Sequence, residues 1–351
     1  MKTRLDNILR AAVEFKASDI HITTGVPPIM RIHGGLKRYG KEVLSPEDTE
    51  EIAKVVIHEQ MENVLHDKGE VDLSYEVSGA ARFRVNVYQQ RGSIAIAFRV
   101  VPTKIPALED LNMPQVLKKI VKKPQGLILV TGPTGSGKTT TLASMIDYMN
   151  KMMSKHIITL EDPIEYLHGH GNCIIDQREI GHDTKSFAAG LRAALRQDPD
   201  VILVGELRDL ETISTAITAA ETGHLVYATL HTSSATSTID RIIDLFPPSQ
   251  QSQIRTQLAS VLVSVISQRL FPTANGSGRI AATEIMLNNA AVANLIRNQK
   301  IEQIMNVIQT SRAQGMHTLE SSIHSLLQRG MITMETVQPY LQEKVFEDGK
   351  I

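Results

Sequence analysis

Between an apolar run, Leu127 to Thr131, and a helical pattern, Thr139 to Met152, lies Gly132-Pro133-Thr134-Gly135-Ser136-Gly137-Lys138-Thr139, a complete G-x-x-x-x-G-K-[ST] in strand-to-helix context. Glycines let such a loop curl with its N–H groups inward, and the following helix adds positive potential at its first turn. The segment is therefore a phosphate cradle. Gly132, Pro133, Thr134, Gly135, Ser136, Gly137, Lys138, Thr139 and Thr140 are its expected nucleotide-binding residues, with Lys138 reaching the terminal phosphates and Thr139 a magnesium ligand. A strand that feeds a helix through this loop belongs in a parallel sheet covered on both faces.

The neighbouring pattern agrees. Ile157–Leu160, Val201–Val204 and Leu225–Leu230 are short apolar runs, and helical patterns follow at Leu210–Thr222 and from Ala235. Leu258 to Ile266, the most apolar of the later stretches, reads as helix, and from Ser249 onward the chain is expected to be mostly helical with one further strand, Ile280–Met286. The first hundred residues differ. An amphipathic helix (Leu5, Ile8, Leu9, Ala12, Val13) precedes period-two strands around Ile20–Ile22, Val71–Val77 and Phe83–Val87, then another at Ile94–Phe98 after a turn at Arg91-Gly92. Glu47 to Leu65 is helical in pattern. Pro102, Pro106 and Pro114 punctuate the stretch from Val101 to Met113. The expected organisation is a small α+β domain over 1–100, a linker over 101–113 and an α/β P-loop domain over 114–351.

Composition removes several alternatives. Thirty-seven Lys and Arg balance 38 Asp and Glu, and aromatic residues are 4% with no Trp, so a nucleic-acid groove built from basic and stacking side chains is disfavoured. One cysteine, Cys173, excludes an intramolecular disulfide framework and fits a reducing, cytoplasmic setting. No apolar run approaches the ~20 residues of a membrane span, so direct membrane insertion is not expected. His168, His170 and Cys173 cluster in sequence, but the Gly-rich run between them and the lack of a fourth ligand favour a solvated loop over a metal site.

Binding phosphate hydrolyses nothing until carboxylates hold magnesium and align a water. Two strand ends offer them. Val201–Val204 runs into Gly205-Glu206, and Ile157–Leu160 into Glu161-Asp162-Pro163-Ile164-Glu165. Each acid has a plainer reading as a helix cap or solvated turn. His231 ends the strand Leu225–Leu230 on the rim of the cradle, where a neutral imidazole can report on the terminal phosphate, and His224 precedes the same strand. Arg82 and Arg84 share one face of their strand, opposite Phe83, Val85 and Val87; they are either a solvated face or guanidinium groups presented to a nucleotide.

The cradle, the acidic Glu161-Asp162-Pro163-Ile164-Glu165-Tyr166, Leu195 to Asp200 leading into Glu206 and Arg208-Asp209, and Gly223-His224 through His231-Thr232 occur in the order of the secretion-superfamily hexameric ATPases. Within them the chain resembles the pilus-retraction, twitching-motility ATPases from Ser18-Asp19-Ile20-His21 to Gly315-Met316-His317-Thr318-Leu319-Glu320. The resemblance implies a PAS-like N-terminal domain, a RecA-like ATPase domain with a helical C-terminus, ATP and magnesium, and a homo-hexamer. It makes Glu165 the water-polarising glutamate, Glu206 the Walker B acid and magnesium ligand, and His224 and His231 the paired histidines. Arg82, Arg84 and Arg99 become arginines that reach toward nucleotide or a neighbouring subunit. It further implies a cytoplasmic protein peripheral at the inner-membrane base of a pilus, working with a membrane platform protein and other pilus motor ATPases. Leu295-Ile296-Arg297-Asn298-Gln299-Lys300 departs from the retraction pattern by lacking an acid and a glycine after the arginine. A pilus-assembly or type II secretion ATPase, a hexameric helicase and a non-hydrolysing nucleotide-gated scaffold are the competing readings.

Overall fold

The computed structural model describes residues 1–32, 34–57, 59–101, 104–276 and 278–347. They fall into two compact units, one of Met1–Lys104 with Pro163–Leu167, the other of Ile105–Asp162 with His168 onward.

In the first unit, helix α1 (Lys2–Glu14) leads into strands β1 (Ala17–Ile22), β2 (Ile29–Ile32) and β3 (Gly35–Arg38). Helices α2 (Pro46–Val56) and α3 (Glu59–Lys68) follow, then a meander of β4 (Glu70–Val77), β5 (Ala81–Gln90) and β6 (Ser93–Val100). The six strands form one antiparallel sheet in the order β3-β2-β1-β6-β5-β4. Period-two reasoning holds in β5, whose first eight residues alternate buried and half-buried, and Leu5, Ile8, Leu9 and Ala12 of α1 enter the same core. The turn at Arg91-Gly92 has φ of 49° and 74°, the doubly left-handed form that suits a two-residue hairpin. The helical pattern from Glu47 to Leu65 is two helices rather than one: α2 starts at a Ser45–Asp48 capping box and stops at Ile57, whose ψ of 132° is extended. Strands β2 and β3 had no signal; β3 is exposed along its whole length, so no buried face marks it.

The second unit opens with Ile105. Pro102 and Thr103, in the stretch expected as linker, lie outside the described residues. The rest of that stretch has no helix or strand, but Leu108 and Met113 are buried in the second unit's core, which makes most of it part of that unit. Helix α4 (Val116–Val121) precedes β7 (Gly126–Thr131), α5 (Lys138–Met152), β8 (His156–Glu161), β9 (Ile174–Glu179), α6 (Phe187–Ala194) and β10 (Val201–Val204). Then come α7 (Leu210–Glu221), β11 (Leu225–Leu230), α8 (Ala235–Asp244), α9 (Pro248–Val261), β12 (Leu262–Pro272), β13 (Arg279–Leu287) and four helices, α10 (Ala290–Arg297), α11 (Ile304–Thr310), α12 (Leu319–Gln328) and α13 (Met334–Glu347).

The sheet order is β13-β12-β7-β11-β10-β8-β9, parallel throughout except for β13. Strand β7 is buried along its length and serves both faces: Leu127 and Leu129 enter one core with α6 to α10, while Ile128 and Val130 enter the other with α4 and α5. Leu258–Ile266, expected to be helical, changes to strand at Leu262. Strand β12 pairs with β7 on one edge and β13 on the other, and Val265 and Ile266 enter the cores on opposite faces, so its apolar run has no alternation by which to declare itself. Strand β9 was also not anticipated. Beyond the cradle end of β12, Phe271 joins Ile280, Ile323, Leu326, Ile332 and Val337 in a smaller core under α12 and α13. There the Arg269 guanidinium lies 4.8 Å from the centre of the Tyr340 ring of α13, which also meets Phe271 edge to face. Among the described residues, no helix is long and apolar enough to cross a membrane.

Tyr227, in the middle of β11, is fully buried, and its hydroxyl has no hydrogen-bond partner. Burial pushes its ionisation far above the ordinary phenol range. A desolvated, unpaired hydroxyl opposes folding, so Tyr227→Phe should raise the unfolding free energy by about 1 kcal/mol. Urea unfolding of the two proteins measures this; a destabilised Phe variant contradicts it.

Candidate active site

The cradle stands at the carboxyl end of β7, the edge where open α/β sheets bind their ligands. Gly132 has φ of +144°, and a Cβ there would lie 2.4 Å from the Gln268 carbonyl oxygen and 2.6 Å from Ser136 Oγ, so only glycine fits. Gly137 (φ +88°) is the residue before α5, and its left-handed backbone turns the loop into the helix. Pro133, Thr134 and Gly135 are exposed at the tip, Ser136 and Lys138 are buried, and Thr139 and Thr140 are half-buried at the start of α5. Lys138 Nζ donates to the carbonyl oxygens of Gly132 (2.7 Å) and Pro133 (3.2 Å), which keeps the ammonium inside the curl of the loop.

Strand β11 lies between β7 and β10, which sets His231 between the cradle and Glu206. Two bonds fix the turn that carries Glu206: Thr229 Oγ1 donates to the Gly205 carbonyl, and the Leu207 N–H to the Thr229 carbonyl. The Glu206 carboxylate, 14% exposed, forms an ion pair with Arg208 and lies 3.1 Å from His231 Nε2. Partial burial, then the positive charges of Lys138 and Arg208, hold His231 below the ordinary imidazole range. Because a carboxylate can only accept, Nε2 carries the hydrogen of the contact with Glu206. The structure brings a buried ammonium, an imidazole and a caged carboxylate to one rim.

The other expected residues are placed differently. His224 sits at the opposite, amino end of β11, about 20 Å along a six-residue strand from His231. Its Nδ1 is 3.0 Å from the Ala219 carbonyl, where an N–H donor closes the last turn of α7. The two histidines thus stand at opposite ends of β11, as the sequence order implies, and His231 is the one on the cradle rim of this chain. Glu165 is half-buried and belongs, with Pro163–Leu167, to the first unit. At the end of β8 the neighbouring Glu161 accepts hydrogen bonds from Thr159 Oγ1 (2.6 Å) and Gln177 Nε2 (3.0 Å).

Arg82, Arg84 and Arg99 are all on the first unit's sheet. Arg84 and Arg99 are direct cross-strand partners, Arg99 pairs in register with Asp19 and Asp19 with Arg31, while Arg82 donates to Ser74 Oγ. Like charges opposed across a ladder disfavour the pairing, and the Arg99–Asp19 bond of 3.0 Å offsets this in part. His168, His170 and Cys173 are not a uniformly solvated loop: Cys173 is buried and its thiol donates to the Met153 carbonyl, His170 Nδ1 accepts the Ile175 N–H, and His168 is largely buried. No group of three or more metal-ligating His, Cys, Asp or Glu side chains occurs among the described residues.

One residue at the cradle escaped sequence reasoning. Gln268 of β12 donates from Nε2 to the Ser136 carbonyl at 2.6 Å. It lay in a stretch read as the end of a helix, where a glutamine carries no signal.

Residues 1–339 match the family model described as type II/IV secretion system protein. The chain is 44% identical over 334 residues to the type IV pilus retraction ATPase PilT of Pseudomonas aeruginosa, covering 95% of this chain and 97% of that protein. It is 45% identical over 329 residues to a twitching motility protein of Neisseria gonorrhoeae, covering 92% and 88%. Among solved structures, that of the pilus retraction motor PilT with bound ADP superimposes with a TM-score of 0.87 at 50% identity, covering 94% and 95%.

His168 carries a measurable consequence. Burial lowers its pKa to about 4 from 6.5, and its Nδ1 has no hydrogen-bond partner. Between these values the unfolded chain binds the proton and the folded chain does not, so stability is retained above pH 6.5 and lost as the pH falls toward 4. The loss is about 3 kcal/mol from this residue. Denaturant unfolding of the native chain and of His168→Phe across pH 4–7 should show a shallower slope in the variant; equal slopes refute it.

Proposed function

The chain belongs to the type II/IV secretion system protein family, and on that premise we propose that it is an ATP-hydrolysing motor that powers type IV pilus retraction. The observation that carries the proposal is the meeting of Lys138, His231 and Glu206 at the mouth of the cradle. The whole-length likeness to retraction ATPases selects this reading over assembly or secretion.

The residues present suit a magnesium nucleotide. Gly132 leaves no room for a side chain under the loop, and the Lys138 ammonium rests on two carbonyl oxygens that a charged phosphate outcompetes. The Thr139 hydroxyl and Glu206 carboxylate are hard oxygen donors that magnesium accepts, alone or through water, when phosphate oxygens complete the shell. Bound there, magnesium neutralises charge on the β- and γ-phosphates. The chain's own groups do the rest. Lys138 leaves its carbonyls for the terminal phosphates. His231 Nε2–H holds the Glu206 carboxylate in place beside the cradle. Glu165 orients the attacking water. Arg82, Arg84 and Arg99 supply guanidinium groups to the charge that develops at phosphorus.

Six copies form the working ring. His224, far from the cradle of its own chain, acts in such a ring on a neighbouring copy. Hydrolysis drives a rigid-body rotation within the ring, and that motion is the output. The site of work is the cytoplasmic face of the inner membrane at the pilus base, against a membrane platform protein.

Lys138→Ala and Glu165→Ala should each lower ATP turnover by about 10²-fold or more without changing the thermal unfolding of the protein. Phosphate release measures the first and calorimetry the second; a Glu165→Ala protein with native turnover removes that residue from the chemistry. In cells, loss of the chain should leave pili present but abolish twitching, restored by the native gene and not by Lys138→Ala. Loss of the pili themselves would assign it to assembly.

A further inference from the structure

We infer that Gln268 is a positioning residue for the phosphate cradle, acting from the strand on the far side of β7 from Glu206. The inference rests on the nucleotide-binding reading of the cradle and concerns a residue that this reading does not use.

Gln268 meets the loop at both ends. Its backbone carbonyl oxygen lies where a Cβ on Gly132 would be, at 2.4 Å, and its side-chain Nε2 donates to the Ser136 carbonyl at 2.6 Å. The same Nε2 would stand 3.1 Å from a Cβ on Gly137, with Leu270 just beyond at 3.3 Å. Gln268 is 2% exposed, so this bond is made away from water. Only the amide nitrogen can face a carbonyl oxygen productively, which settles the orientation of the side chain.

The consequence follows from the planar trans peptide. In the Ser136–Gly137 peptide the C=O and N–H point in opposite directions. Gln268 holds the Ser136 C=O toward β12, and the Gly137 N–H is thereby aimed away from β12, into the curl of the loop. That N–H is one of the donors a phosphate needs, and its direction is set before any ligand arrives. Without the amide, the Ser136 carbonyl is a buried acceptor with no donor, and rotating the peptide toward water turns the Gly137 N–H out of the cradle. The side-chain donor to the Ser136 carbonyl is Gln268 Nε2, and Oε1 of the same amide, an acceptor, cannot take its place.

Strand β12 is itself held in register. Thr131 Oγ1, one residue before the cradle, shares a 2.8 Å hydrogen bond with Ser267 Oγ. On the other side Gln268 pairs with Thr283 of β13, whose Oγ1 lies 2.8 Å from His317 Nε2 and whose N–H donates to Ser322 Oγ. The glutamine thus reaches the loop from a strand anchored on both flanks.

The test is binding of a fluorescent ADP, with steady-state ATP hydrolysis, to native protein, Gln268→Met, Gln268→Asn and Lys138→Ala. Met keeps the length and bulk of the side chain but cannot donate, and Asn keeps the amide but falls short by a methylene. Both should weaken ADP binding and raise KM for ATP about tenfold, with kcat per active site within about threefold and an unchanged melting temperature without nucleotide. A purely structural role would lower the melting temperature and the active fraction and leave Kd unchanged. Native Kd in both variants, or a loss confined to stability, overturns the inference. Should native protein bind ADP no better than Lys138→Ala, the nucleotide reading itself falls.

Discussion

Burial of the parallel sheet on both faces is the constraint from which the rest follows. Strands β7, β10 and β11 are buried along their whole length, and two apolar cores cover their opposite sides. A strand in that position has nowhere to place a charge except at its ends. Polar chemistry is therefore driven to the rim, and the strand order decides which residues meet there. Because β11 separates β7 from β10, the imidazole of His231 stands between the lysine and the carboxylate and feels both. The same constraint sends His224 to the far edge, where it serves as a helix cap.

The charges on this rim are held by one another. Glu206 is caged by Arg208 and His231, and Lys138 is satisfied by carbonyl oxygens of its own loop. Each of these groups has a partner within the protein and none is left bare. The arginine row of the first unit is arranged differently. Arg84 and Arg99 are opposed in register across β5 and β6, a pairing that disfavours the sheet, and Asp19 relieves only part of it.

Much of this was legible in the sequence, for reasons that are local. The cradle is written in glycines that no other residue can replace, as the closeness of Gly132 to Gln268 demonstrates. The Arg91-Gly92 turn and the alternation of β5 are likewise short-range signals, and both appear in the fold as expected. What was not legible depends on distant partners. Leu262–Pro272 is strand because β7 and β13 flank it, and no property of its own residues reports those neighbours. With β12 hidden, Gln268 was hidden too. Glu206 and His231 were readable as strand-end residues, whereas their bond to each other required the strand order. The partition of residues between the two units, which sets Glu165 with the first, had no counterpart in the proline pattern.

Alternation along β12 has a consequence for the end of the chain. Gln268 and Leu270 point toward the loop, while Arg269 and Phe271 point the other way and grip Tyr340 of the last helix. A single strand thus has the phosphate bed on one side and the C-terminal clasp on the other, one residue apart. The packing of α13 and the backing of the loop therefore draw on adjacent residues of one strand.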